Sequence, residues 1–232
     1  MLKTTAIIPA YNEELNIERV LQVLKKALAL RIIDEIIVVD DGSEDETAKA
    51  ALKFGVKVIK LRENKGKARA MFEGIKAAKG DVSLFIDGDL INLNVSHVRD
   101  LLEPVLEKDN CMTIARFTNG SLTSISHAIN INCSGQRASR TKVFKNIFET
   151  IKKIDKIKYG VEYVITNRLK RFSIEPIIVE WDSVSQILKE EKWGLTLGFF
   201  SRIRMYLSMG LGHLRNIFYN LSKLLDIEKT SD

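Results

Sequence analysis

Four polar clusters stand directly behind apolar runs in the first part of this chain: Pro9-Ala10-Tyr11-Asn12-Glu13, Asp40-Asp41-Gly42-Ser43, Glu63-Asn64-Lys65-Gly66-Lys67 and Asp87-Gly88-Asp89. The last is chemically the most demanding. It closes the run Val82-Ser83-Leu84-Phe85-Ile86. Two carboxylates at the end of a buried strand repel each other and lose hydration, which is costly unless a cation or strong donors sit between them. A hard divalent cation holding a diphosphate meets that need, because Mg²⁺ takes one or two carboxylates plus phosphate oxygens. Asp89, with Asp87 beside it and Gly88 between, is therefore the expected metal site. The other clusters supply matching parts. Tyr11 can cover a base or ribose, with the backbone of Pro9 and Ala10 near by. Glu13 can accept ribose hydroxyls, and Asp41 can accept the imide N–H of uracil. Lys67 follows a glycine at a helix start, where it can reach a phosphate. Each cluster also has a plain structural reading: Asp-Gly is a good turn pair, Glu13 complements a helix dipole, Asp41-Gly42-Ser43 serves as turn and cap, and Lys65 and Lys67 can simply be solvated. Their joint placement at successive strand ends points to one pocket.

The elements that must position these clusters alternate. Thr5 to Pro9 reads as a buried strand, Asn12 to Leu30 as a helix with Leu15, Val20, Leu21, Val23, Leu24 and Leu28 mostly on one face. Glu35 to Asp40 is a second strand whose consecutive apolar residues imply cover on both faces. Ser43, with Glu46 three residues on, predicts a capping box opening a helix that runs to Phe54 and stops at Gly55. Val56 to Leu61 is the third strand, Lys67 to Lys79 a helix ended by Gly80, and Asp81 to Ile86 the fourth strand. Beyond Asp89 the spacing predicts helices over Ser96 to Glu107, Thr141 to Ile151 and Gly160 to Lys170. Strands are predicted over Met112 to Phe117 and Ile174 to Trp181, where Pro176 suggests an edge or a bulge. Asn119 to Ile131 is expected to be mobile. Such alternation predicts an α/β fold, a mostly parallel central sheet with helices on both faces. In such sheets ligands bind at the carboxyl ends of the strands.

Phe200, Ile203, Leu207, Leu211, Leu214, Phe218, Leu221 and Leu225 recur at spacings of three and four, with Arg202, Arg204, Arg215 and Lys223 largely off that stripe. The expected organisation is a main domain over residues 1–195 and an amphipathic helical extension over 196–232. The extension fits docking on the chain's own core, a homodimer, or peripheral contact with the inner face of a membrane.

At 232 residues, 45% hydrophobic and 28% charged, the chain is globular rather than disordered. Its net charge of +6 suits phosphate-bearing ligands or an anionic membrane face; nucleic acid is not an expected partner. Cys111 and Cys133 give neither metal spacing nor a disulfide framework. With no signal-peptide pattern and no uncharged apolar stretch of spanning length, a cytoplasmic location is expected. His97, His127 and His213 are expected to be structural or surface residues. No G-x-G-x-x-G follows the first strand, which excludes a dinucleotide-binding dehydrogenase. The glycine- and arginine-rich phosphate loop of sugar-1-phosphate nucleotidyltransferases is also missing there.

The strings IIPAYNEE, IIVVDDGSEDET, NKGKARAM and GDVSLFIDGDL, in this order, resemble family 2 glycosyltransferases of the GT-A fold over residues 4 to 93. The resemblance implies a nucleotide-sugar donor, usually linked to uridine diphosphate, and Mg²⁺ or Mn²⁺. Leu90-Ile91-Asn92, Cys133-Ser134-Gly135-Gln136-Arg137-Ala138 and Tyr159-Gly160-Val161-Glu162 are similar to glucosyl-3-phosphoglycerate synthases. That similarity implies that Ser134 and Gly135 lie near the donor sugar. It places Glu162 against sugar or acceptor hydroxyls, and makes Asn119-Gly120-Ser121-Leu122-Thr123 the acceptor loop. Two departures stand out. Ser121 occupies the place of an arginine that grips the charged acceptor, which argues against phosphoglycerate here and leaves the acceptor unknown. Gln186 falls where those synthases place a metal-binding histidine; an amide oxygen suits Mg²⁺ but is a weaker ligand for Mn²⁺. The expected activity is metal-dependent hexosyl transfer from a UDP-hexose, with Asp89 and Glu162 as the catalytic residues and Glu162 as the base if the reaction inverts. Two alternatives remain open: a polyprenyl-phosphate glycosyltransferase at a membrane surface, and a non-catalytic nucleotide-sugar-binding protein.

Overall fold

The computed structural model describes residues 2–118, 134–157 and 160–187. All of them belong to the first of two units, Met1–Ile187. The expected acceptor loop, Cys133, His127, His213 and the C-terminal helical extension lie outside the described residues.

Strands β1 (Thr4–Ala10), β2 (Glu35–Asp40), β3 (Lys57–Lys60) and β4 (Val82–Phe85) alternate with helices α1 (Ile17–Ala29), α2 (Thr47–Leu52) and α3 (Lys67–Ala77). There follow β5 (Leu90–Ile91), α4 (Val95–Glu107), β6 (Cys111–Phe117), β7 (Arg137–Arg140), α5 (Thr141–Glu149), α6 (Val161–Leu169), β8 (Glu175–Trp181) and β9 (Ser185–Gln186). Seven strands form one sheet in the order β3-β2-β1-β4-β7-β6-β8. Its pairings are parallel except those of β7, which runs antiparallel to both β4 and β6. The chain moves outward from β1 to β3 and returns to place β4 on the other side of β1. That reversal opens a crevice at the carboxyl ends of β1 and β4, the usual ligand position in such sheets.

The apolar pattern explains the layers. Successive side chains of a strand point to opposite faces. Ala6, Ile8, Ile36 and Val38 pack with Leu21 and Leu24 of α1 and with Val98 and Leu101 of α4. Ile7, Ile37 and Val39 pack on the other face with Met71 and Ile75 of α3 and Phe144 of α5. Each such buried aliphatic side chain contributes about 1.5–3 kcal/mol. β8 is the sheet edge, as Pro176 suggested, and Cys111 is a buried free thiol.

Several local expectations are corrected. α1 begins at Ile17 rather than Asn12, because Asn12 takes a left-handed backbone (φ 54°) and turns the chain first. Leu15 is consequently 84% exposed and not part of the apolar face. The capping box at Ser43 does not form. The Ser43 N–H donates to Asp40 Oδ1 at 2.9 Å, its hydroxyl oxygen accepts from the Asn12 N–H at 3.0 Å, and α2 starts four residues later. Gly80 does not end α3, which stops at Ala77. It serves instead as a close approach to β1, where an added Cβ would lie 2.8 Å from the Thr5 nitrogen. β7 and the two-residue ribbon of β5 and β9 were not anticipated.

Gly42 locks two of the polar clusters together. Its φ is +71°, and a Cβ there would stand 2.5 Å from the Glu63 carbonyl carbon and 2.7 Å from the Asn64 nitrogen. Gly42→Ala meets both backbone strain and a backbone clash, so urea unfolding is expected to show a loss of about 2–4 kcal/mol.

Candidate functional site

At the end of β2, Asp41 holds the loop after β3. Its Oδ1 accepts the Lys65 N–H at 2.9 Å and its Oδ2 the Gly66 N–H at 2.8 Å. Burial pushes its carboxyl above the ordinary range, against the lowering effect of those two donors. Pro9 and Ala10 are buried at the end of β1, Tyr11 is half-buried, and the Asp41 N–H donates to the Ala10 carbonyl at 2.8 Å. Glu13 is buried; its Oε2 accepts from Asn16 Nδ2 at 2.9 Å and its N–H donates to Thr47 Oγ1 at 2.7 Å. Gly66 takes φ +93° as the residue before α3, which points Lys67, the first helical residue, across the crevice.

Lys67 is the hub. Its Nζ lies 2.7 Å from Asp87 Oδ1 and 2.7 Å from Glu162 Oε1. Glu162 comes from the first turn of α6, behind Gly160 in a left-handed conformation. Asp87 Oδ2 accepts from Gln136 Nε2 at 2.8 Å and from Gln186 Nε2 at 2.7 Å. Burial works against both charges of the Lys67–Asp87 pair. The two carboxylates nevertheless hold the ammonium above the ordinary lysine range. Lys67 and the two amides likewise hold Asp87 below the ordinary carboxylate range. Gly135 is pressed against this centre: a Cβ there would be 2.5 Å from Asp87 Oδ2 and 2.7 Å from Lys67 Nζ. Ser134 is fully buried beside it, its hydroxyl 3.2 Å from Gln136 Oε1. Gly88 is buried between the two aspartates, facing Glu13 and Ile8.

Asp89 is half-buried at the crevice mouth, and Gln186 Nε2 also reaches its Oδ1 at 3.4 Å. One donor atom thus lies within reach of both aspartates of the tripeptide. Asp87, Asp89, Glu162 and Lys67 together carry about two negative charges, a local excess that favours a divalent ion. Among the described residues no group of three or more His, Cys, Asp and Glu converges as a metal centre. The available set is two carboxylates and one amide, and turning the Gln186 amide about its last torsion offers its oxygen instead of its nitrogen. Such hard oxygen donors fit Mg²⁺, which keeps water and phosphate oxygens as its remaining ligands. Gln186 is placed here by the pairing of β9 with β5, where it faces Leu90.

Every expected site residue among those described therefore lies at the carboxyl ends of β1, β2 and β4 or on the elements facing them. Gln136 was not singled out, although it stands two residues after Ser134 in the same motif; only its contact with Asp87 gives it a role. His97 is structural, as expected: its Nδ1 accepts the Asn94 N–H at 3.2 Å in the capping box of α4, and its ring packs on Trp181 at 5.2 Å.

A family model described as Glycosyl transferase family 2 matches residues 5–171. The chain is 32% identical over 139 residues to a glucosyl-3-phosphoglycerate synthase of Mycolicibacterium smegmatis, an alignment covering 57% of this chain and 45% of that protein. It is 41% identical over 93 residues to a dolichol-phosphate mannosyltransferase of Pyrococcus furiosus, covering 38% of this chain and 26% of that one. The chain spans less than half the length of these curated relatives. Among solved structures, glucosyl-3-phosphoglycerate synthase of Mycobacterium tuberculosis with Mn²⁺, UDP and glucosyl-3-phosphoglycerate superposes with a TM-score of 0.62. The sequences are 22% identical there, over 80% of this chain and 72% of that one, a likeness that concerns the fold.

Proposed function

This chain belongs to glycosyl transferase family 2, and from that premise we propose that it transfers a hexose from a uridine diphosphate sugar to an acceptor, with Mg²⁺ or Mn²⁺. The observation that carries the reading is the convergence of Lys67, Asp87 and Glu162 within 2.7 Å contacts, beside Asp89 and the Asp41-bound loop. The M. tuberculosis relative is described with Mn²⁺ and UDP-glucose, and elsewhere with Mg²⁺ and UDP, which supports the same donor class and cofactor here.

In this reading Asp41 and the backbone after β1 receive the base, with Tyr11 covering it and Glu13 receiving ribose hydroxyls. Asp89 would hold the cation, with Asp87 beside it and Gln186 as a neutral ligand. The cation, when bound, supplies charge to offset the departing diphosphate. Lys67 delivers the second positive charge to the same phosphates, and Asp87 keeps that ammonium aimed. Ser134 and Gly135 floor the sugar pocket, where the missing Cβ lets Asp87 and Lys67 pack directly on the Gly135 backbone. Glu162 accepts hydrogen bonds from sugar or acceptor hydroxyls. Incubation with a panel of UDP-sugars and Mn²⁺ should release UDP from one donor in preference to the rest; release from none, at any acceptor offered, would overturn the proposal.

Gln186→His adds a better ligand for Mn²⁺ than the amide. The variant is expected to bind Mn²⁺ about tenfold more tightly in the presence of UDP, by calorimetry, with little change for Mg²⁺.

A polyprenyl-phosphate acceptor is the second reading, supported by the 41% identity to the dolichol-phosphate enzyme. No helix among the described residues is long and apolar enough to cross a membrane; this reading takes the amphipathic stripe of residues 196–232 as the membrane contact. Co-sedimentation with anionic vesicles, lost on truncation after Gly198, is its expected signature. A homodimer through the same residues would instead give a mass of twice the chain in solution.

A further inference from the structure

Arg137 is fully buried at the start of β7, paired in register with Phe85 of β4 and Ile114 of β6. An arginine in the middle of a sheet is costly unless its donors are used. Here they face two ways. Nη2 donates to the Ser134 carbonyl. Nη1 lies 3.3 Å from the Glu162 carbonyl and 3.3 Å from Thr166 Oγ1, whose hydroxyl itself donates to the Glu162 carbonyl at 2.9 Å. The consequence is a closed ring of contacts. Arg137 joins Ser134, Ser134 joins Gln136, Gln136 holds Asp87, Asp87 holds Lys67, Lys67 holds Glu162, and the Glu162 backbone returns to Arg137.

We propose that Arg137 is a positioning residue: its guanidinium fixes the first turn of α6, and with it Glu162, against the Ser134-Gly135-Gln136 segment that steadies Asp87. The role rests on the donor-site reading above, because what is positioned is the pocket for the sugar and diphosphate. The planar fork of an arginine suits it, since two divergent carbonyls need donors fixed in one plane. A lysine has one nitrogen and cannot span both. Arg137 itself touches no substrate in this account.

The test uses the full chain with Arg137→Met, Arg137→Lys and the milder Thr166→Val. Hydrogen exchange followed by NMR should show the side-chain amide of Gln136 exchanging about tenfold faster in Arg137→Met, while the Ile37 and Val38 backbone amides keep their protection. Arg137→Lys should recover less than half of the lost protection, and Thr166→Val should shift it in the same direction by less. If Arg137→Met does not fold, Thr166→Val and Arg137→Lys carry the test. Unchanged Gln136 exchange, or equal loss of protection at Gln136 and in the central strands, would reduce Arg137 to a core strut and overturn the proposal. Calorimetry with UDP and Mn²⁺ runs alongside. Roughly tenfold weaker binding in Arg137→Met supports the proposal, and equal binding contradicts it. Absence of binding by the unaltered chain sinks the donor-site reading, while the exchange measurement still decides the role of Arg137.

Discussion

Lys67→Met is expected to cost both stability and donor binding. The substitution keeps most of the side-chain volume and removes the cation that, among the described residues, Asp87 and Glu162 hold. Their side chains are only 12% and 11% exposed, so two carboxylates are left facing each other with little water. Removing one partner of a buried pair costs about 3–5 kcal/mol. Lys67 keeps 30% of its own side chain exposed, so solvent screens part of that, and a loss of about 2–4 kcal/mol in urea unfolding is expected. A charge-assisted contact to phosphate is worth about 1.5–3 kcal/mol, so UDP affinity in the presence of Mn²⁺ should fall roughly 10- to 100-fold. The two losses separate in a second variant. Adding Glu162→Gln to Lys67→Met removes one of the opposed charges and should restore part of the stability without restoring UDP affinity. Strictly additive stability effects would contradict the geometry, since residues in one network are expected to couple.

Asp89→Ala is expected to do the opposite: almost no effect on folding and near-complete loss of turnover. Asp89 is half-buried at the mouth of the crevice, and its loss should change stability by less than about 1 kcal/mol. In the proposed reading it is the main anchor of the cation that offsets charge on the departing diphosphate. Loss of a comparable electrostatic contributor lowers rates by about 100- to 1000-fold. UDP release from the preferred donor should therefore fall at least that far and stop responding to added Mn²⁺. A variant that retains normal, Mn²⁺-dependent turnover would place the metal elsewhere.

The parts of the site legible in the sequence were those where chemistry and burial conflict. Asp41 and the Asp87-Gly88-Asp89 tripeptide end apolar strands, and a buried strand rarely ends in carboxylates without a reason. Lys67 behind Gly66 was legible for the same cause. The first four strands and the helices between them followed from apolar periodicity. Local capping was less legible. Ser43 and Glu46 have capping-box spacing, but Asp40 and Asn12 compete for Ser43 and win, because they tie the ends of β1 and β2 together. β7 escaped because Arg137, Ser139 and Arg140 are polar yet buried, and contacts from other elements take up part of their polarity: Ser139 Oγ donates to the Cys111 carbonyl at 2.7 Å, and Arg140 pairs with Asp109. The ribbon of β5 and β9 is two residues long and is created only when the chain after β8 returns to Leu90. Gln186 was placed at the metal by resemblance alone. In the structure its Nε2 donates to Asp87 Oδ2 at 2.7 Å and reaches Asp89 Oδ1 at 3.4 Å.

The proposed uridine diphosphate site is built around a cation at Asp87 and Asp89. Its most direct test is a calorimetric titration of UDP into the chain with Mn²⁺ present, repeated in EDTA. One site per chain is expected to bind in Mn²⁺ and to weaken at least tenfold in EDTA. Equal binding in both conditions, or binding in neither, would contradict it.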